Sequence, residues 1–459
     1  MIAVVFLLVV LIIALVLTLS GSQIDLPAGQ LAILAVLFMV FFLAGIYVAA
    51  AMGLLSLVAS LTLTDRPLYN FFGEVGWESS ANYVFLAVPL FILMGEILLR
   101  SGLSHRLYKA LNVWVGGLPG GLLHTNIGTC AIFATVCGSS AATAAMIGSV
   151  ALPYFKKTNY NERMVLGSLA GGGALGQLIP PSISLIVYGL FTGTSIGQLY
   201  SVAFVAGILV TFFMMAYIFF YSLVTRTKDV SAAPVNASDR LSSLRDLLPT
   251  AVLILIVLGS LYLGLATASE AAALGVLGAL LIAWIDGQLS LSMVNTALRN
   301  TVRTSSMLGL ILVAAFILNY ILGALGLPKV LAAAVTTLPV PPVVITLCIF
   351  VFYIALGAFM EGFSLILTTV PVIFPVIVAL GYNPVWYGVA MTMLIEVALI
   401  SPPDGVILYI LQGLRRPRGS IGDVFVGVLP FTAIYLGATL LMLFEPNSIL
   451  WILNFTAAK

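Results

Sequence analysis

The stretch Gly171-Gly-Gly-Ala-Leu-Gly-Gln-Leu-Ile-Pro-Pro-Ser182 decides how this chain folds. It lies within a long apolar run, yet it contains four glycines and two adjacent prolines. Each proline lacks a backbone donor, and the residue before a proline is disfavoured in helical geometry. Inside a bilayer, free backbone groups must find partners within the protein. The stretch therefore predicts a broken helix that is buried in protein and whose backbone groups can hold an ion or a substrate.

A similar break follows late in the chain, at Ser401-Pro-Pro-Asp-Gly405. Pro402 follows Pro180 by 222 residues, and Pro375 follows Pro153 by the same interval. This shared spacing indicates a duplicated unit. Basic residues flank the cytoplasmic ends of membrane helices. In the first half, basic residues follow the hairpin, at Lys156, Lys157 and Arg163. In the second half, they follow the break instead, at Arg415, Arg416 and Arg418. Matched loops therefore lie on opposite sides, which predicts inverted repeats.

The composition fixes the broad class. The chain has 459 residues, of which 62% are hydrophobic and 7% charged, whereas soluble proteins carry about 25% charged residues. We predict a polytopic membrane protein. Its net charge of +2 and lack of a basic patch disfavour a nucleic-acid partner. Three cysteines without CxxC spacing disfavour a zinc site. Because HExxH is also missing, we predict that the protein is not an enzyme and needs no cofactor.

The predicted fold is all-α, with two inverted repeats that each contain a re-entrant helical hairpin and a helix broken at Pro-Pro. We expect ten full spans, a first span at 2–19, an external loop at 65–80 and both termini outside. The predicted divisions are a first repeat at 1–225 (hairpin about 122–155, broken helix about 161–190), a cytoplasmic linker at 226–246, and a second repeat at 247–459 (hairpin about 343–378, broken helix about 386–414).

Inverted repeats, hairpins and broken helices are typical of secondary transporters. Half-helix N-termini suit a substrate carboxylate, and unwound carbonyls and hydroxyls suit Na⁺. Six stretches carry a closer resemblance: Pro89-Leu-Phe-Ile-Leu-Met-Gly-Glu-Ile97, Gly138-Ser-Ser-Ala-Ala-Thr143, Gly173-Ala-Leu-Gly-Gln-Leu-Ile-Pro-Pro-Ser182, Ser195-Ile-Gly197, Met360-Glu361 and Ser401-Pro-Pro-Asp-Gly405. With these motifs in order, the chain resembles the large membrane subunit of tripartite ATP-independent periplasmic (TRAP) transporters.

The resemblance implies an elevator-type, Na⁺-coupled importer of a small organic acid in a prokaryotic inner membrane. It also implies two partners, a small four-helix membrane subunit and a periplasmic substrate-binding protein. The chain departs from the family at Asp404, where a hydrophobic residue is common, and at Val406-Ile407, where Leu-Asn is common. Asp404 adds charge near the second break, which is compatible with stronger cation binding, with proton coupling or with an altered substrate.

Candidate site residues lie at the hairpin tips and the breaks. For a first Na⁺ site they are Ser139, Ser140, Thr143, Gly176, Ile179 and Pro180; for a second Na⁺ site they are Gly357, Glu361, Ser401 and Asp404; for the substrate they are Ser182, Gly362 and Gly405. The alternative for the small residues is helix packing. Intramembrane carboxylates are costly and usually functional, but Glu361 and Glu396 have the alternative of being paired structural acids.

The prediction is therefore a Na⁺-coupled importer subunit that works with a binding protein. The main alternative is a stand-alone organic-anion transporter, coupled to Na⁺ or H⁺, that needs no binding protein. A channel is a further alternative, which the paired broken helices disfavour.

Overall fold

A computed structural model describes residues 36–37, 40–41, 46–155, 158–225, 236–358, 360–415 and 419–456. The predicted first span at 2–19 and both termini lie outside the described residues. The described part of the chain forms helices and contains no strand. The predicted all-α class is confirmed.

Nine α-helices of the first half have both ends within the described residues. Their bounds are α1 Val48–Thr62, α2 Phe72–Ser80, α3 Ala87–Arg100, α4 Leu103–Val115, α5 Gly121–Cys137, α6 Ser140–Phe155, α7 Glu162–Gly173, α8 Ile183–Thr192 and α9 Ile196–Thr225. Short 3₁₀ turns lie at Leu68–Phe71, Tyr83–Leu86 and Ala174–Gly176.

Among the described residues, the second half contains eleven α-helices, of which the last two are single turns. Their bounds are α10 Ala237–Tyr262, α11 Ala268–Ile285, α12 Leu291–Ala324, α13 Leu327–Thr336, α14 Pro342–Gly357, α15 Gly362–Ala379, α16 Pro384–Ile400, α17 Val406–Leu414, α18 Ile421–Phe444, α19 Asn447–Leu450 and α20 Leu453–Thr456.

Four helix pairs carry names used below. The first hairpin is α5–α6 and the second is α14–α15. The first broken helix is α7–α8, interrupted at 174–182, and the second is α16–α17, interrupted at 401–405. The Pro-Pro bond in each break is cis.

Seven described helices are long and apolar enough to cross a bilayer. They are Tyr83–Arg100, Ile196–Thr225, Ser238–Tyr262, Ala268–Ile285, Leu291–Ala324, Gly362–Ala379 and Ile421–Phe444. The shorter apolar helices include both arms of the first hairpin and α16. The protein is therefore a multi-pass membrane protein. The predicted inversion of the repeats and the orientation of the termini stay predictions.

Two segments expected to be irregular contain helix among their described residues. The segment 65–80 contains a 3₁₀ turn and α2. Helix α10 begins at Ala237, inside the predicted linker 226–246. The reason is a capping interaction, in which the backbone N–H of Asn236 donates to the carboxylate of Asp239 at 3.1 Å. Such a reciprocal cap satisfies backbone donors at the start of a helix.

The first broken helix packs on α18 through glycines. A Cβ atom built on Gly167 would lie 1.9 Å from the carbonyl oxygen of Gly427, so the two backbones are in direct contact. At one end of this contact, Arg415 pairs with Glu162 at 2.6 Å and with Asp423 at 3.1 Å. The start of the first broken helix, the end of the second and α18 are thus held together.

Candidate functional site

The first hairpin turns at Gly138 and Ser139, between α5 and α6. Gly138 has a φ of +61°, which favours glycine, and a Cβ atom there would lie 2.7 Å from the carbonyl oxygen of Pro181. Any larger residue would be strained and would also clash. The tip of the first hairpin therefore packs directly on the Pro-Pro break of the first broken helix.

Gly176 brings the first break onto the same tip. A Cβ atom on Gly176 would lie 2.6 Å from Cα of Ser140 and 2.7 Å from the carbonyl oxygen of Ser139. The backbone N–H of Gln177, at the end of the 3₁₀ turn, donates to the hydroxyl of Ser140 at 3.0 Å. Three residues of the predicted first Na⁺ site, Ser139, Ser140 and Gly176, are thus in direct contact.

Glu396 reaches this tip from the second broken helix. It is completely buried, and Ser140 donates its hydroxyl hydrogen to Oε1 at 2.8 Å. The backbone N–H of Gln177 also faces this carboxyl group. Its other oxygen, Oε2, is buried and has no hydrogen-bond partner among the described residues. Glu396, whose role the sequence left open, therefore joins the second half of the chain to the first tip.

The second hairpin approaches the same region. Gly357, at the end of α14, packs on the second broken helix, since a Cβ atom there would lie 2.5 Å from Cβ of Ala398. Glu361 is exposed and caps α15, where its Oε2 accepts from the backbone N–H of Ser364 at 3.2 Å. The next residue, Gly362, is buried, and a Cβ atom on it would lie 3.5 Å from Oε1 of Gln177.

The second break is more open than the first. Ser401 is half-buried, and its hydroxyl donates back to the carbonyl of Val397 at 2.6 Å. Gly405 is buried, and its N–H donates to the carbonyl of Ser401 at 3.0 Å. Asp404 is exposed, and its side chain forms no hydrogen bond or ion pair with another described residue.

The remaining predicted site residues surround the first break. Thr143, Ile179 and Pro180 are buried. The side chain of Ile179 points at α9, because a Cβ atom on Gly207 would lie 2.5 Å from Cγ1 of Ile179. Ser182 is buried and caps α8, and its carbonyl accepts from the hydroxyl of Tyr200 at 3.2 Å.

Gln177 is a site residue that sequence reasoning did not select. Its backbone contacts Ser140, while its side-chain Oε1 accepts from the hydroxyl of Ser184 at 2.8 Å and lies beside Gly362. Both hairpin tips and the first break therefore meet at this residue. The available signal was an amide side chain inside a helix break, where a polar group is costly unless it is bonded.

The positive potential of the region comes from backbone N–H groups. Four helices begin at the tips and breaks, namely α6 at Ser140, α8 at Ile183, α15 at Gly362 and α17 at Val406. Each N-terminus carries partial positive charge and free N–H groups. None of the residues in the contacts above is Lys, Arg or His. An anion here would be held by backbone donors and by bound cations.

The helical arrangement resembles that of a solved membrane protein. The fold matches the crystal structure of the Alcanivorax borkumensis YdaH transporter with a TM-score of 0.52 at 17% sequence identity, covering 90% of this chain and 98% of that one. At this identity the match establishes the fold alone.

The family follows from sequence. Residues 35–448 match the model of the DctM component of tripartite ATP-independent periplasmic transporters, so the chain belongs to this family. It is 32% identical over 372 residues to the C4-dicarboxylate TRAP transporter large permease protein DctM of Pseudomonas aeruginosa, covering 81% of this chain and 86% of the relative. The family is one of transporters rather than enzymes.

A second relative is longer than this chain. The isethionate TRAP transporter permease protein DctMQ of Oleidesulfovibrio alaskensis is 30% identical over 410 residues, which are 89% of this chain. The chain spans 64% of the length of that relative.

Proposed function

We propose that the protein is the large membrane subunit of a secondary transporter that imports a small organic anion. A periplasmic binding protein delivers the anion, and a small four-helix membrane subunit completes the transporter. The complex lies in the inner membrane of a prokaryotic cell, and both termini of this chain face the periplasm. Membership of the DctM family supports this proposal.

The observation that carries the proposal is the meeting of both hairpin tips and both broken helices. Gln177 of the first break contacts Ser140 of the first tip and Gly362 of the second, while Glu396 of the second broken helix bonds Ser140. Irregular backbone at membrane depth is tolerated where it lines a binding site. Transporters of this construction bind substrate between such elements.

Na⁺ is the proposed coupling ion. The first site uses the hydroxyls and carbonyls around the first tip and break, at Ser139, Ser140, Thr143, Gly176, Ile179 and Pro180. The second uses Gly357, Glu361, Ser401 and Asp404. Exposed carboxylates at the second site support cation capture there, because oxygen ligands with negative charge attract hard cations.

The proposed substrate is a small organic anion. The relatives are named for C4-dicarboxylates and for isethionate, which are both small anions. Ser182, Gly362 and Gly405 lie at the starts of α8, α15 and α17. The N–H groups in the first turns of these three helices would donate to an anionic oxygen, and the bound cations would offset the remaining charge.

An elevator movement is the proposed mechanism. The glycine contact between Gly167 and Gly427 and the ion pairs of Arg415 hold the broken helices and α18 together. Such close backbone packing favours movement as one body. Helices α1, α3, α11 and α12, which pack on one another, would remain fixed in the membrane.

Uptake into proteoliposomes tests the proposal. The protein is reconstituted with the small subunit and the binding protein from the same genome, and labelled C4-dicarboxylates and isethionate are offered. We expect accumulation of one organic anion only when an inward Na⁺ gradient and the binding protein are both present. Uptake that ignores the Na⁺ gradient would reject Na⁺ coupling. Equal uptake without the binding protein would favour the stand-alone transporter.

A further inference from the structure

Gln177 carries an amide side chain inside the first break, where the rest of the segment is small or apolar. The side chain is half-buried, and its Oε1 accepts a hydrogen bond from the hydroxyl of Ser184 at 2.8 Å. This bond fixes which end of the amide is which, and it directs Nε2 away from Ser184. Nε2 carries two N–H donors, and it forms no hydrogen bond with another described residue. Because an amide at this depth is costly unless both ends are bonded, Nε2 is available to a ligand.

The amide of Gln177 lies between the starts of two helices. Ser184 belongs to the first turn of α8, and Gly362 begins α15. A Cβ atom on Gly362 would lie 3.5 Å from Oε1 of Gln177, so the second tip adjoins the amide. Partial positive charge at the two helix starts favours any anion. The side-chain amide adds a directed donor, which distinguishes one anion from another by the position of its oxygen atoms.

Neighbouring hydroxyl groups have already donated their hydrogens. Those of Ser140 and Ser401 donate to acceptors on α16, at 2.8 Å and 2.6 Å, and that of Ser184 donates to Gln177. None of the residues in these contacts is Lys, Arg or His. The amide of Gln177 is therefore a free side-chain donor at the point where both tips meet the first break.

We propose that Gln177 is a substrate-recognition residue whose Nε2 donates a hydrogen bond to an anionic oxygen of the transported organic acid. Ser184 is a positioning residue, because it acts on the substrate only through the orientation of the amide. The charged end of the substrate then lies between the starts of α8 and α15. A neutral amide selects for the oxygen acceptor without balancing its charge, which stays with the bound cations. This inference rests on the proposed function.

The first experiment measures anion binding without transport. The complex of this chain with its small membrane subunit is heated at saturating Na⁺ with increasing succinate or isethionate, and the thermal midpoint is recorded. The transported anion should raise the midpoint of the native complex, because it binds the folded state. Gln177→Met keeps the length of the side chain but removes its N–H donors. It should require about ten- to a hundredfold more anion, as expected for loss of a hydrogen bond to a charged group. Gln288→Met, at an exposed glutamine, is the control and should change nothing.

Two further variants separate substrate binding from the bond between the two side chains. Ser184→Ala removes the donor to Oε1 but leaves Nε2, so it should weaken anion binding only a few-fold. Gln177→Met leaves the buried hydroxyl of Ser184 without its acceptor, which should lower the midpoint in the absence of anion. The double variant removes both groups, so this midpoint should recover while anion binding stays weak. Equal losses of affinity in the two single variants, or recovered affinity in the double variant, would overturn the proposal.

The second experiment measures exchange of labelled anion across proteoliposomes that contain the same complex. Gln177→Met should raise the anion concentration for half-maximal exchange, while the rate at saturating anion returns towards the native rate. A lower maximal rate with an unchanged half-saturating concentration would overturn the proposal, because Gln177 would then affect movement rather than binding.

The native complex separates the possible failures. If neither anion raises its midpoint and neither is taken up with the binding protein and Na⁺, the proposed function fails and the inference falls with it. If the native complex takes up one anion and Gln177→Met binds that anion with native affinity, the proposed function stands and the role of Gln177 is rejected.

Discussion

The first hairpin and break differ from the second hairpin and break in how completely protein surrounds their polar groups. At the first pair, Ser140 and Gly176 are buried and the backbone N–H of Gln177 donates to the hydroxyl of Ser140. At the second pair, the carboxylates of Glu361 and Asp404 are exposed. We therefore call the first hairpin and break the closed pair, and the second hairpin and break the open pair.

The difference suggests a division of labour between the two pairs. The polar groups of the closed pair are held at fixed distances, so this pair can discriminate between ions. Because it is buried, an ion can enter it only when the protein moves. The open pair presents charge to an accessible space and can attract cations from it. Glu396 links the two pairs, because it lies on the second broken helix and accepts a hydrogen bond from Ser140 of the first tip. Substitutions at the closed pair should therefore affect stability most.

The largest loss of stability is expected for Gly176→Val, which overpacks the closed pair. A side chain there meets the backbone of Ser139 and Ser140, which cannot move aside as a flexible side chain can. Overpacking of this kind costs about 3 kcal/mol or more. We expect a much lower thermal midpoint in detergent, measured by tryptophan fluorescence. Gly437→Val, where no atom lies within 4 Å of the added Cβ, is the control. Equal midpoints for both variants would show that the first pair is not tightly closed.

A smaller loss is expected for Ser140→Ala. The change removes the donor to Glu396 and the acceptor for the N–H of Gln177, and it leaves buried polar groups without partners. Such a loss costs about 2 kcal/mol. Ser149→Ala on the same helix, whose hydroxyl is exposed and bonds only its own helix, is the control. If the two variants unfold at the same temperature, the bond between the halves contributes nothing to stability.

Much of this comparison was visible in the sequence. Glycines and prolines in apolar runs predicted where helices stop, and the structure places the breaks at both Pro-Pro pairs. The low charge content predicted a multi-pass membrane protein, which is confirmed. The helix at Ala237 was missed, although Asn236 and Asp239 have the spacing of a helix cap. Local sequence patterns thus predict most of the helix ends and the class of the fold.

The contact between Glu396 and Ser140 could not be predicted from local sequence patterns. The two residues are 256 positions apart, and periodicity says nothing about which helices meet. A carboxyl group within a membrane helix indicates a functional site, but its position in the sequence does not identify the residue that it contacts. The predicted sharing of one ion by Glu361 and Asp404 stays a prediction, although both carboxylates are exposed.

At the open pair, Glu361→Ala should have a moderate effect. It removes the oxygen that caps α15 at the N–H of Ser364, which costs about 1 kcal/mol. Glu361→Gln keeps an oxygen acceptor and removes only the charge, so it should restore most of the stability while still weakening Na⁺ activation of uptake. Thermal midpoints and Na⁺ titrations separate the two contributions. If the glutamine variant is as unstable as the alanine variant, the charge rather than the cap stabilises the helix.

The smallest change in stability is expected for Asp404→Asn. The side chain is exposed and makes no bond with another described residue, so the free energy of unfolding should change by no more than about 0.5 kcal/mol. If Asp404 attracts a cation to the open pair, the Na⁺ concentration for half-maximal uptake should rise by roughly two- to fivefold, which matches an exposed charge interaction of up to about 1 kcal/mol. The increase should shrink at high ionic strength, because exposed charges are screened. Asp65→Asn, at another exposed aspartate, is the matched control and should leave the Na⁺ dependence unchanged. Identical Na⁺ titrations for the two variants would remove Asp404 from the second site and leave Glu361 as the carboxylate that distinguishes the open pair from the closed one.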